Sequence, residues 1–186
     1  MSAAGGREAP APRTGVVVGN PKPASRTLAA AVRAVELLSG RAPDLVVDVT
    51  TLGPGLLSWG DEAVGRAVEE VGALDLLVVA SPTYKATYTG LLKLFLDRFA
   101  GGEGLRDVTA VPLMLGAGPA HALAADLLLK PVLAELGAAL PAPGLYLLDT
   151  EGAGSPALEA YAERWGPVLR AAAAHGAAAR GSRSAV

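Results

Sequence analysis

Ser25, Arg26 and Thr27 put two hydroxyls and a guanidinium on consecutive residues, where an apolar run stops and an alanine-rich stretch begins (VGNPKPASRTL, Val18 to Leu28). The first turn of a helix carries backbone N–H groups with no partner inside the helix, so this junction suits an anion, a phosphate above all. Asn20 would shape the turn that leads into it. The pattern is neither a Walker loop nor Gly-x-Gly-x-x-Gly. A plain strand-to-helix link capped by Ser25 accounts for the same residues.

Two further segments have unusual composition. In SPTYKATYTG, Pro82 and Tyr84 offer a flat wall for a planar ring, and backbone N–H groups around Thr83, Tyr84 and Lys85 are placed to bond its polar edge. Half-buried packing is the plainer role for a tyrosine. In LGAGPAH, Gly116, Ala117 and Gly118 let a ligand approach the backbone closely. His121 follows in the expected first turn of a helix, which disfavours an imidazolium, so it lines a pocket or bonds a ring carbonyl and carries no catalytic proton. An exposed histidine at a helix start is the alternative.

A phosphate clamp, a flat slot and a glycine floor suit a mononucleotide with a planar heterocycle, for which FMN is the candidate. No serine or cysteine nucleophile with an adjacent base lies in these segments, and no carboxylate pair does. We assign no catalytic side chain and no metal ligand; the chemistry would belong to the cofactor.

These segments need elements to bring them together. TGVVVG (Thr14 to Gly19), DLVVDVT (Asp44 to Thr50), LDLLVVASP (Leu74 to Pro82), VTAVPLML (Val108 to Leu115) and PGLYLLD (Pro143 to Asp149) read as strands. The first, third and fourth are almost wholly apolar, as strands covered on both faces are; the second alternates like an edge strand. Helices are expected over Ser25 to Ser39, Asp61 to Val71, Thr89 to Ala100, Pro119 to Leu136 and Ser155 to His175, with N-caps at Ser25, Asp61 and Ser155. Within the third, Leu91, Leu92, Leu94, Phe95 and Leu96 are expected in the core. Strand and helix alternate, so the class is α/β: a flavodoxin-like three-layer sandwich with a five-stranded parallel sheet in the order 2-1-3-4-5. In such sheets ligands bind beyond the carboxyl ends of the strands, where the order reverses. The three segments all fall there.

The chain has 186 residues, enough for one domain, expected over residues 13–175. Residues 1–12 and 176–186 read as disordered tails, and the first of these lacks a secretory signal. Aromatics make up only 4% of the residues against 51% apolar overall, so alanine, leucine and valine must do the packing. A net charge of −2 without a basic stripe argues against nucleic acid, and no apolar run reaches the ~18 residues that span a bilayer. With no cysteine, disulfides and thiolate chemistry are ruled out, and a cytoplasmic location is expected.

GNPKPASRT, SPTYKATYTGLLKLFLDRF and GAGPAHALAADLLLKPVLAELGA resemble, in order and spacing, the NAD(P)H-dependent FMN reductase family, most of all the flavin reductases of two-component sulfonate monooxygenases. The resemblance covers about Thr14 to Asp149. It implies a flavodoxin-like fold, FMN as cofactor or substrate with NAD(P)H as co-substrate, and hydride transfer from the nicotinamide to flavin N5. It also implies a homodimer or homotetramer and supply of reduced flavin to a partner monooxygenase. Carried across, the phosphate would meet Ser25, Arg26 and Thr27, with Asn20 shaping the turn. The isoalloxazine would lie along Pro82, Thr83, Tyr84 and Lys85 and against Gly116, Ala117 and Gly118, with His121 matching the family's histidine. One departure stands out. Those reductases often carry a tyrosine after the aspartate of the fourth helix, associated with a helix irregularity at a tetramer interface and with flavin release; here the position is Leu127, a departure at that residue that keeps the helix apolar and leaves a packed helix interface open. Other readings on the same scaffold are an FMN-bound quinone or azo reductase, a binding protein, and an electron-carrier flavodoxin. The last is disfavoured by Lys22, Arg26 and Lys85 in loops where carriers gather acids.

Overall fold

The apolar runs pair side by side as five parallel strands, β1 (Thr14–Val18), β2 (Leu45–Asp48), β3 (Leu76–Pro82), β4 (Thr109–Gly116) and β5 (Leu145–Leu148). Their order across the sheet is β2-β1-β3-β4-β5, as expected. The computed structural model describes residues 11–184. Parallel neighbours need crossovers, which here contain α1 (Arg26–Ser39), α2 (Glu62–Gly72), α3 (Gly90–Leu96) and α4 (Lys130–Glu135). The chain closes with α5 (Pro156–Ser184).

Side chains alternate across a strand, so each apolar strand feeds two cores. Val16 and Val18 of β1 with Leu76 and Val78 of β3 pack under α1 and α5, against Ala30, Val35, Leu158 and Leu169. Val17, Leu77 and Val79 face the other way, against Val64, Leu92, Phe95 and Leu129 of the opposite layer. This is the three-layer arrangement. Among the described residues no helix is long and apolar enough to cross a membrane.

Several elements differ from expectation. The single helix expected over Pro119 to Leu136 is a 3-10 turn at Pro119–His121, a π-helical turn at Ala125–Leu129 and then α4. Pro131 has no N–H to return to the Leu127 carbonyl, so regular i to i−4 bonding cannot run through this stretch; the Lys130 amide reaches back to the Ala125 carbonyl instead. The irregular turn thus exists with Leu127 in place of a tyrosine, and Leu127 is exposed. His121 consequently lies in the short 3-10 turn and not at the start of a long helix. Helix α3 stops at Leu96, short of Ala100, and Leu94 is exposed rather than in the core.

The tail expected after His175 is the last two turns and more of α5, to Ser184. Gly176 lies so close to the Asp107 carbonyl that a Cβ would collide with it. Arg180 donates to the Gly72 and Leu74 carbonyls at 3.1 and 3.0 Å and to Asp75 at 2.5 Å. An arginine meeting three acceptors between the end of α2 and the start of β3 holds the helix where composition alone suggested a loose end. Of the tail expected over residues 1–12, residues 1–10 lie outside the described residues. Pro12 is held through its carbonyl by Arg41 Nη2 at 2.6 Å.

The β1–β2 edge is closed by Asp44, whose Oδ2 accepts from the Thr14 amide at 2.7 Å and from Arg41 Nη2 at 2.8 Å. The Arg41 guanidinium, then the Thr14 amide, hold this carboxyl down at about 2. A carboxyl with a lower pKa in the folded than in the unfolded chain stabilises the fold above its unfolded value of ~4. That contribution is lost as pH falls through about 2. Asp44→Asn should therefore lower stability in urea unfolding by about 1 kcal/mol at pH 7, scaled down because solvent screens the pair. The gap to the wild type should close as pH approaches 2; a gap of equal size at pH 7 and at the acid end would show that the ion pair is not its source.

Candidate functional site

Strands β1, β3 and β4 end at one rim of the sheet because their register is shared: Val18 pairs with Ala80, and Pro82 with Leu115. The loops that follow therefore rise together. The first is wound by Asn20, a buried side chain whose Nδ2 donates to Thr27 Oγ1 at 3.0 Å while its Oδ1 accepts from the Lys22 amide at 2.9 Å. Ala24 takes a left-handed conformation (φ 50°) and its amide donates to Asp48 Oδ2 at 3.2 Å. Ser25 then caps α1, its Oγ accepting from the Leu28 amide at 3.2 Å. Above that cap the amides of Arg26 and Thr27 have no intramolecular acceptor. The Ser25 and Thr27 hydroxyls each accept one bond, so each keeps its own proton to donate.

The second loop is a tight hairpin. The Tyr84 amide donates to the Thr87 carbonyl at 2.9 Å and the Thr87 amide to the Tyr84 carbonyl at 3.2 Å. Lys85 and Ala86 between them both have positive φ, 51° and 72°. This is the two-residue turn usually made with Asn-Gly, and side chains in the left-handed region cost on the order of 1 kcal/mol each. Such strain gathers at functional loops. Its result here is specific: the Lys85 and Ala86 amides are left without acceptors. Donors were expected from Thr83, Tyr84 and Lys85, but the Thr83 amide is spent on the Leu115 carbonyl at 2.6 Å and that of Tyr84 on the hairpin. Ala86 was not foreseen. Pro82 is buried at the end of β3, and Tyr84 stands half exposed at the rim.

The third loop leaves β4 at Gly116, where a Cβ would collide with the Tyr146 phenol. Tyr146 Oη donates to the Gly118 carbonyl at 2.7 Å and so fixes the turn through Ala117. Thr83 Oγ1 lies beside Gly116, buried and without a hydrogen-bond partner.

Two adjoining cavities result. One, of about 380 Å³, is lined by Asn20, Lys22, Ser25, Arg26, Thr27, Pro82, Thr83, Tyr84, Gly116 and Ala117, and also by Asp149. The other, of about 500 Å³, is lined by Thr83, Lys85, Ala86, Gly116, Ala117, Gly118 and His121. Every residue singled out in the sequence thus lines one cleft, and Thr83, Gly116 and Ala117 line both halves. Asp149, just beyond β5, was missed: its amide donates to the Gly116 carbonyl at 2.9 Å, a contact that only the β4–β5 pairing creates. A cavity of about 420 Å³ between α3 and α4 has no such donors; its Lys93 and Asp97 pair with each other.

The donor set fits a phosphorylated planar heterocycle. Free first-turn amides with Arg26 and Lys22 match a phosphate. The orphaned Thr83 hydroxyl and the free Lys85 and Ala86 amides match the polar edge of a ring, since a buried group without a partner costs stability unless a ligand or water meets it.

A buried junction holds the first two loops together. Thr89 Oγ1 donates to the Gly19 carbonyl at 2.6 Å and accepts from the Leu92 amide at 3.1 Å, capping α3. The Thr89 amide donates to Ser81 Oγ at 3.0 Å. Gly19 packs directly on Leu92, with no room for a Cβ. Thr89, expected as the first residue of this helix, is its N-cap and bonds a loop 70 residues away.

A family model described as NADPH-dependent FMN reductase matches residues 12–152. The chain is 38% identical over 89 residues to FMN reductase (NADPH) of Escherichia coli K12, covering 48% of this chain and 46% of that protein. It is 40% identical over 81 residues to the NADH-dependent FMN reductase SfnF of Pseudomonas putida, covering 44% and 41%. The matched segments thus span under half the length of these relatives. Among solved structures, an NADH:FMN oxidoreductase in its apo form superposes with a TM-score of 0.76 at 29% identity, covering 84% of this chain and 87% of that one.

Thr89→Val removes the α3 cap and leaves the buried Gly19 carbonyl unsatisfied, which should lower stability by about 1–2 kcal/mol in urea unfolding. A change within experimental error would mean that the two loops are held by packing alone.

Proposed function

The chain belongs to the NADPH-dependent FMN reductase family, and we propose that it reduces FMN with NAD(P)H in the cleft at the carboxyl ends of β1, β3 and β4. The observation that carries this reading is the convergence there of free helix-start amides, a cation and an orphaned hydroxyl, all donors and none of them a nucleophile–base pair. Bound FMN would supply the hydride-accepting chemistry that the side chains of the cleft lack.

The protein's part is position and charge. The Arg26 and Thr27 amides, the Ser25 and Thr27 hydroxyls and the Arg26 guanidinium would hold the phosphate, with Asn20 bracing the loop beneath. Pro82 and Tyr84 would wall one side of the ring, and Gly116, Ala117 and Gly118 would floor it without intruding. The Lys85 and Ala86 amides and the Thr83 hydroxyl would stabilise negative charge gathering on the ring as it is reduced, being aimed before the reaction begins. The exposed Lys85 and His121 border the wider half of the cleft, where the nicotinamide nucleotide would enter. Delivery of reduced flavin to a separate monooxygenase is part of the same proposal; its support is the sequence resemblance to the reductases of two-component systems and the openness of the rim. A homodimer or homotetramer is proposed on the same resemblance.

Anaerobic mixing of the purified chain with FMN and NADH or NADPH should bleach the flavin absorption in a protein-dependent manner. Loss of nicotinamide absorbance without flavin bleaching would point to another acceptor. Arg26→Ala should raise the dissociation constant for FMN about five- to tenfold while leaving riboflavin binding unchanged. An equal loss for both flavins would move the phosphate away from Arg26.

A further inference from the structure

Asp149 stands at the cradle without a role in holding an anion. Its amide is bonded to the Gly116 carbonyl, so the sheet sets its position. Its carbonyl accepts from Arg26 Nη1 at 2.7 Å, and its carboxylate lies 3.6 Å from Arg26 Nη2. Of the residues lining that half of the cleft, Lys22 and Arg26 are the cations and Asp149 is the carboxylate.

We propose that Asp149 sets the affinity for the phosphate by keeping the grip loose, so that a flavin 5′-phosphate exchanges readily instead of remaining bound. The proposal rests on the placement of the FMN phosphate at Ser25, Arg26 and Thr27. Two effects act in the same direction. The guanidinium that should face the phosphate is already engaged, and a dianionic group entering the cradle must share it with a carboxylate. The carboxylate, lining the same cavity as Ser25 and Thr27, would also repel the phosphate directly, an effect that salt screens beyond ~8 Å. Both side chains reach solvent, 69% exposed for Arg26 and 35% for Asp149, so the effect is moderate rather than prohibitive. A site built for permanent retention would gain by losing this carboxylate. A site that must release its flavin gains by keeping it.

Asp149→Asn keeps both backbone bonds and removes only the charge. Dissociation constants for FMN and riboflavin, measured by flavin fluorescence on the full chain, should show FMN bound about two- to fivefold more tightly by the variant, with riboflavin unchanged. In an Arg26→Ala background the same substitution should give a smaller gain for FMN, because the engaged arginine is gone. Unchanged or weaker FMN binding by Asp149→Asn would overturn the proposal and make Asp149 a support that orients Arg26. An equal gain for riboflavin would overturn it too, as would an undiminished gain in the Arg26→Ala background. Wild-type protein that binds FMN no better than riboflavin would instead remove the phosphate placement on which the proposal stands, a result separable from failure at Asp149.

Discussion

The shared register of β1, β3 and β4 is the constraint on which the cleft depends. Parallel strands cannot be joined by short hairpins, so each must return through a crossover, and all their carboxyl ends open on the same side. Once Val18 is set opposite Ala80 and Pro82 opposite Leu115, three loops far apart in the chain have no choice but to rise together. A slip of one residue in any pairing would turn the alternating valines and leucines of the two cores to the wrong faces. The same burial that stabilises the fold therefore aligns the site.

Register brings the loops close, and polar bonds lock them. The Thr89 hydroxyl joins the end of β1 to the start of α3, and Tyr146 reaches from β5 to hold the Gly118 carbonyl. Both bonds are made by side chains outside the lining they stabilise. The lining itself is left with unspent donors at Arg26, Thr27, Lys85 and Ala86, and with strain at Lys85 and Ala86. Satisfied support beneath an unsatisfied surface is what a ligand site requires: the frame is stable without ligand, and the remaining donors are already oriented.

Electrostatics tempers this cradle. The helix start, Lys22 and Arg26 would draw an anion in, while Asp149 engages one of the cations. The charged side chains lining the cradle, two cations and one carboxylate, thus leave a single net positive charge. Much of the attraction for a phosphate would be left to backbone amides, which a side chain can tune but not abolish.

What the sequence determined by itself was set by short-range rules. Apolar runs in alternation with capped amphipathic stretches specified the class and strand order, and Ser25 before an alanine-rich helix, or Gly116 to Gly118 after a buried strand, marked where a ligand would sit. Tertiary structure decided what depends on distant partners. Only strand pairing brings Asp149 to Arg26, only the Leu115 carbonyl and the hairpin at Tyr84 and Thr87 spend the Thr83 and Tyr84 amides while those of Lys85 and Ala86 stay free, and only the Gly72 and Leu74 carbonyls and Asp75, between α2 and β3, hold Arg180 in α5, which runs to Ser184. Local propensity can say that a group is able to donate or carry charge. Whether it is free to do so depends on which neighbour folding has placed beside it.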